Sequence, residues 1–352
     1  MGQFRSSIWW VTAFVLLTAG CHREAPEDLP LYARKISIAD KFYDVATLDN
    51  DRAFVVGYAG KILATEDGGR SWDVRPSGTK RALYDIEFVD EMKGWVVGQD
   101  GTILHTDDGG KSWKPQTSGT KLYLFALNFV SPTEGWVVGD RAVYLHTTDG
   151  GETWTLGKIV STAGLSPDEA LLVQEPVLYD VEFIGRDTGW IVGEIGNIFY
   201  TSDAGRTWTP QQESLVGQDF FDILDLPTFF GVHFSDPSNG IVAGLEGRVA
   251  RTSDGGKSWA WEKFDLELPI VDPLFGTFQF PDTTAWSVGA AGEVVRQITP
   301  GVPWQRASLG MEVRTWLRKI HFIDKENGWI VGGFGTILHT TDGGETWLPA
   351  VG

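Results

Sequence analysis

The sequence predicts an all-β fold, a seven-bladed β-propeller of four-stranded antiparallel blades, on three observations. An octapeptide with an Asp-Gly-Gly core returns along the chain, and a Gly-Trp-Val-Val-Gly element precedes each copy. The 43 Gly and 16 Trp are scattered through all 352 residues without forming a low-complexity block, which fits many tight turns between short strands.

The octapeptide runs Thr65–Trp72, Thr106–Trp113, Thr147–Trp154, Thr201–Trp208, Thr252–Trp259 and Thr340–Trp347. Its central aspartates are Asp67, Asp108, Asp149, Asp203, Asp254 and Asp342, spaced by 41, 41, 54, 51 and 88 residues. The last interval is about twice the shortest, so one copy is hidden. It lies at Gln297–Trp304, where Pro300-Gly301-Val302-Pro303-Trp304 keeps Gly and Trp and loses Asp. The second element, Gly94–Gly98, has counterparts beginning at 135, 189 and 328 and looser forms at Ala53, Gly240 and Ala285. Ahead of it stands a short β-type stretch opening at Tyr43, Tyr84, Phe125, Tyr179, Phe230, Gly276 and Arg318. All three elements therefore count seven.

Each unit reads as strand, turn, Trp-containing strand, Gly hairpin, strand of the Thr-Ile-Leu-His-Thr type, Asp-Gly-Gly turn and a last strand opening with Trp. Such a unit buries its faces only against neighbours, and seven blades closing in a ring achieve this without polar-faced capping repeats. Within the turn, the short carboxylate accepts backbone N–H groups, Gly supplies positive φ and a Ser or Thr hydroxyl adds a local bond. Trp72, Trp113, Trp154, Trp208, Trp259 and Trp347 are expected to fold back into the blades as anchors with their indole N–H satisfied.

These octapeptides resemble the Asp-box, or BNR, repeat of sialidases, sortilin-type receptors and some glycan-degrading propellers, a likeness that implies fold and not function. The whole unit, Leu-Tyr-Asp-Ile-x-Phe, then Gly-Trp-Val-Val-Gly, then Gly-Thr-Ile-Leu-His-Thr-x-Asp-Gly-Gly, resembles the photosystem II stability/assembly factor family from about Phe42 to Trp347. That resemblance implies an exported seven-bladed propeller, lipid-anchored in cyanobacteria, that binds an unassembled membrane subunit.

At the N-terminus Arg5, the apolar run Ile8–Ala19 and Gly20-Cys21 have the form of a secretory signal. Cys21, the only cysteine, resembles a lipobox cysteine, with Thr18 departing from the usual aliphatic residue. The expected division is a signal at 1–20, a tether at 21–32 and the propeller at 33–352, with Ala33–Ile38 free to add a strand to the last blade. Expected localisation is the periplasmic face of a membrane, the outer membrane or, in a photosynthetic host, the thylakoid lumen.

A formal charge of −18 argues against an electrostatic grip on nucleic acid. No sialidase-type arginine triad or Arg-Ile-Pro motif stands out. The Asp-rich turns lack the alternating oxygen ligands of a calcium loop. His105, His146 and His339 share a repeat column with Ala64, Tyr200, Arg251 and Arg296, a pattern of packing and not of a metal site. No catalytic residue, cofactor or metal is therefore assigned.

Function is expected on the face opposite the Asp-box turns, where outer strands connect to the next inner strand. Three connections there are enlarged, Thr155–Val177, Thr209–Thr228 and Ala260–Leu274; the first carries a helix-start signature at Ser166–Glu169. The second and third mix acids with apolar residues. Across the ring the connections are short and basic, giving Lys80, Arg81, Lys121, Arg314, Arg318 and Lys319 as candidate partner-binding residues. The reading is a monomeric, non-enzymatic envelope module that binds a protein client, a membrane-complex subunit. The alternatives are a glycan-acting hydrolase or lectin-like propeller and a purely structural envelope protein.

Overall fold

The computed structural model describes residues 35–159 and 175–350. The signal, the whole tether with Cys21 and the helix expected at Ser166–Glu169 lie outside them. Among the described residues, twenty-eight strands form seven antiparallel sheets, each built from four consecutive strands. In blade 1 these are β1 (Phe42–Thr47), β2 (Ala53–Gly57), β3 (Ile62–Thr65) and β4 (Asp73–Val74), paired in that order. The innermost strands of the other blades are β5 (Leu83–Phe88), β9 (Leu124–Phe129), β13 (Leu178–Ile184), β17 (Phe229–Phe234), β21 (Leu274–Gln279) and β25 (Leu317–Phe322). Each packs on the next, and β1 closes on β25.

Second strands read Gly-Trp-Val-Val-Gly because both of their faces are covered. All five residues of Ala53–Gly57, Gly94–Gly98 and Gly135–Gly139 are buried. The Trp of this element, given no role above, staples neighbouring blades. Trp95 stacks on Phe129 of the following blade with centroids 3.7 Å apart, and its Nε1 donates to Gly150 O of that blade's turn at 3.1 Å. Trp136 repeats this with Phe183 and Ala204 O, and Trp190 with Phe234 and Gly255 O. His105, His146 and His339 stack on Trp95, Trp136 and Trp329. Arg296 lies over Trp286 in the same manner, so at these blades the column covers the second-strand Trp with a flat group.

The hidden copy is a full blade, with Trp304 completely buried. Without the aspartate, its corner is held from the neighbouring blade. Glu262 Oε2 accepts from Trp304 Nε1 at 2.7 Å and from Gln297 Nε2 at 2.9 Å, while Arg251 donates to Gln297 Oε1 at 2.8 Å and pairs with Glu262.

Ring closure departs from the option of an added strand. Residues 35–41 form none, and blade 7 takes all four strands from the C-terminal end. They act as a strap: buried Lys61 places Nζ 2.7 Å from Asp40 Oδ1 and 2.6 Å from Lys35 O, and Asp40 O accepts from Gly335 N of blade 7 at 2.9 Å.

Candidate functional site

On one face lie six Asp-box turns of one geometry. In the first, Asp67 Oδ1 accepts from Thr65 Oγ1 and Ser71 N, both at 2.9 Å, Oδ2 accepts from Ser71 Oγ at 2.7 Å, and Thr65 Oγ1 accepts from Gly69 N. The turns at Asp108, Asp149, Asp203, Asp254 and Asp342 repeat these bonds. Donation from Ser71, Ser112 and Thr346 holds Asp67, Asp108 and Asp342 at about 2. The carboxylate oxygens are thus committed to their own corner. The second glycine is required by space as well as by φ: a Cβ on Gly110, at φ +74, would meet Phe54 of the preceding blade at 2.4 Å.

The indole anchors correct one expectation. The N–H groups of Trp72, Trp113, Trp208, Trp259 and Trp347 have no acceptor among the described residues, and only Trp154 reaches Gln116 Oε1, at 3.4 Å. Edge-on packing holds the rings, as for Trp154 on Phe129 and Trp208 on Phe183.

The opposite face carries the connections. Exposed Lys80, Arg81, Lys121 and Arg314 lie on the short ones, where Arg81 pairs with Asp100 and Arg314 with Glu312. Arg318 and Lys319 do not belong with them. Both sit on the innermost strand β25 and point into the central channel, because β25 begins at Leu317 and a β-bulge turns two consecutive residues inward. The repeat alignment above held the signal, since Arg318 falls in the column of Tyr43 and Tyr84.

The enlarged connections form an acidic and apolar sector. Within 209–228 Leu215 and Leu226 are buried against the blades, and Phe220 packs between Trp261 and the Arg248 guanidinium, which pairs with Asp219. Phe221 remains 96% exposed and Leu224 67%. In 260–274, Leu268 and Val271 are 71% and 74% exposed beside a cavity of about 620 Å³ lined by Arg248, Phe264, Leu266 and Ile270. The two connections hold eight carboxylates and a single lysine, Lys263.

Sequence reading missed the residues that line the central channel. Its upper chamber, about 340 Å³, is lined by Tyr43, Tyr84, Phe125, Tyr179, Phe230, Phe275, Trp316 and Arg318. Below, a constriction of about 30 Å³ holds Asp44, Asp85, Asp180 and Lys319, and a polar chamber of about 240 Å³ adds Glu87, Glu182, His233 and His321. Most of these groups bond the exposed edge of the next inner strand. Asp44 accepts Ile86 N at 3.0 Å, Asp85 accepts Leu127 N at 2.8 Å, Asp180 accepts Val232 N at 2.9 Å and Glu87 accepts Phe129 N at 2.7 Å. His233 Nδ1 accepts Gln279 N at 3.2 Å. Burial pushes Asp44, Glu87 and Asp180 up, and Glu182 up to about 8 with help from Asp180. Burial also pushes His233 down to about 3 and His321 to about 4, so both are neutral. Burial opposes the charge on Lys319, but Asp44, Asp85, Asp180 and Glu182 outweigh it and hold the amine above the ordinary lysine range.

Comparison with known proteins follows the same lines. Residues 76–165 and 296–350 match the model of the photosynthesis system II assembly factor YCF48 family. A photosystem II assembly protein Ycf48 of Synechococcus sp. (strain JA-3-3Ab) is 27% identical over 188 residues, which are 50% of this chain and 49% of the relative. A photosystem II assembly lipoprotein Ycf48 of Synechococcus sp. (strain CC9902) is 28% identical over 120 residues, 34% of this chain and 36% of the relative. The chain therefore spans about half or less of the length of these curated relatives. Among solved structures, YCF48 bound to a D1 peptide aligns with a TM-score of 0.65 at 20% identity, covering 88% of this chain and 95% of the other. A GH74 xyloglucanase of Xanthomonas campestris aligns with a TM-score of 0.67 at 12% identity, covering 89% and 55%, a likeness of fold alone. The resemblance to the photosystem II stability/assembly factor family thus holds in sequence.

Proposed function

Starting from similarity to the YCF48 assembly factors, we propose that this chain is an exported, lipid-anchored propeller that captures a protein client during assembly of a membrane complex. The observation that carries the reading is the polarised connection face. Phe221, Leu224, Leu268 and Val271 stand exposed among carboxylates on one side, and Lys80, Arg81, Lys121 and Arg314 stand on the other. Exposed large apolar groups rimmed by charge mark surfaces that bury on association, and charges of both signs fix the partner's orientation. Cys21 supplies the anchor in this reading, which places the disc at the periplasmic face of its membrane.

The glycan-hydrolase alternative would call for two carboxylates facing each other across an open cleft. The carboxylates that converge in the channel instead accept backbone N–H groups of neighbouring strands and lie at or beneath the constriction. That placement favours the binding module.

The test is chemical crosslinking and co-purification from native membranes with three forms of the full chain. Client recovery is expected to fall at least tenfold with Phe221→Ser/Leu224→Ser/Val271→Ser and with Arg81→Glu/Lys121→Glu/Arg314→Glu, at unchanged melting temperature. Recovery equal to wild type with both triple variants would remove this face as the docking surface.

A further inference from the structure

The ring at the channel mouth is built from one column of the repeat. Six blades contribute Tyr43, Tyr84, Phe125, Tyr179, Phe230 and Phe275, and the seventh contributes Arg318. Neighbouring rings lie edge to face or tilted, with centroids 5.2 Å apart for Tyr43 and Tyr84, 5.3 Å for Tyr84 and Phe125, 5.6 Å for Phe125 and Tyr179, 4.9 Å for Tyr179 and Phe230, and 5.3 Å for Phe230 and Phe275. Trp316, from the last connection, stacks on Tyr43 at 5.6 Å and 8°. Arg318 occupies the gap over Phe275, 5.8 Å from its centroid.

These residues leave a chamber of about 340 Å³, open on the connection face and pinched below by Asp44, Asp85, Asp180 and Lys319. It is therefore a pocket with a polar floor and not a pore. The guanidinium has five N–H donors, of which one is used within the described protein, by Nη1 on Phe275 O at 3.0 Å. No carboxylate lies within ion-pair distance of Arg318 among the described residues, while Lys319 answers the acids of the floor, 3.6 Å from Asp44 Oδ1. A cation with unspent donors, set in an aromatic wall, disfavours a second cation and matches a planar anion that can take two parallel N–H bonds.

We propose that the channel mouth is a binding site for a small aromatic carboxylate, its ring held among Tyr84, Phe125, Tyr179 and Phe230 and its carboxylate on Arg318. The site is independent of client capture, since the exposed rim charges and the acidic connections take no part in it. The ring's flat faces lie against aromatic edges, a favourable arrangement at these spacings.

The probe is 2-naphthoate, with 2-naphthamide as its uncharged counterpart, measured by isothermal titration and saturation-transfer NMR on the chain without its lipid. Naphthoate is expected to bind at least tenfold more tightly than naphthamide. Arg318→Gln is expected to weaken naphthoate at least tenfold and leave naphthamide within about twofold. Trp316→Ala, which changes a connection and no strand, is expected to weaken both probes and serves if Arg318→Gln does not fold. Equal affinity for the two probes, no binding of naphthoate at millimolar concentration, or naphthoate binding unchanged in folded Arg318→Gln or Trp316→Ala would overturn the assignment.

Discussion

At the residue scale, two sets of carboxylates titrate in opposite senses, and each leaves its mark on stability. The box aspartates are held down by donated bonds, Asp67, Asp108 and Asp342 at about 2. Their contribution is complete above the ordinary aspartate range near pH 4 and is lost as pH falls through about 2. Glu182 is pushed up to about 8, so the folded state takes up protons that the unfolded chain releases near pH 4. Its contribution is therefore largest below pH 4 and declines as pH rises toward 8. Denaturant midpoints measured from pH 2 to 9 are expected to peak near pH 4 to 5, and Glu182→Gln is expected to flatten the decline between pH 5 and 8. An unaltered alkaline limb in that variant would place the proton uptake elsewhere. The same scale holds the box indoles: truncating Trp113 or Trp347, both buried, to Ala is expected to cost about 3–5 kcal/mol in equilibrium unfolding. Because their N–H groups find no acceptor among the described residues, this cost is one of apolar packing.

At the scale of the blade, one motif is replaced by another where the aspartate is missing. Blade 6 fixes its corner through Glu262, which Trp304, Gln297 and Arg251 all address. Glu262→Ala is expected to destabilise the protein by about 3–5 kcal/mol, since it strands a largely buried guanidinium and an indole donor at once. A loss below about 1 kcal/mol in thermal or urea unfolding would show that the blade holds without this network. Spacing and the residual Gly-Trp pair placed this blade correctly from sequence, but nothing local in Gln297–Trp304 points to Glu262, 35 residues earlier, as the group that replaces the aspartate. The staple made by Trp95, Trp136 and Trp190 was hidden for the same reason. Its partners, Phe129 and Gly150 for Trp95, sit one blade onward, and an element seen alone does not show them.

At the scale of the molecule, the ring closes without exchange of strands, so its seam depends on side chains and a strap. Lys61 and Asp40 form a buried pair there, with 1% and 5% of their side chains exposed. Lys61→Met is expected to lower stability by about 3–5 kcal/mol by leaving Asp40 uncompensated, and Lys61→Met/Asp40→Leu to recover most of it. Hydrogen exchange is expected to report the single variant's loss first in blades 1 and 7; uniform loss around the ring would argue against a localised seam.

The sequence by itself determined the number of blades, the order of strands, the glycine corners and the face on which irregular connections gather. Periodicity is a local and repeated signal, and each repeat of it is a separate vote for the same unit. Tertiary structure alone decided what the inner strands surround. Arg318 and Lys319 look like solvated loop cations in one dimension. Only closure of seven strands into a circle, with a bulge turning two successive residues inward, sets one among aromatic rings and the other among buried carboxylates. That decision rests on distances between residues up to about 280 positions apart, and such distances exist only once the ring has closed.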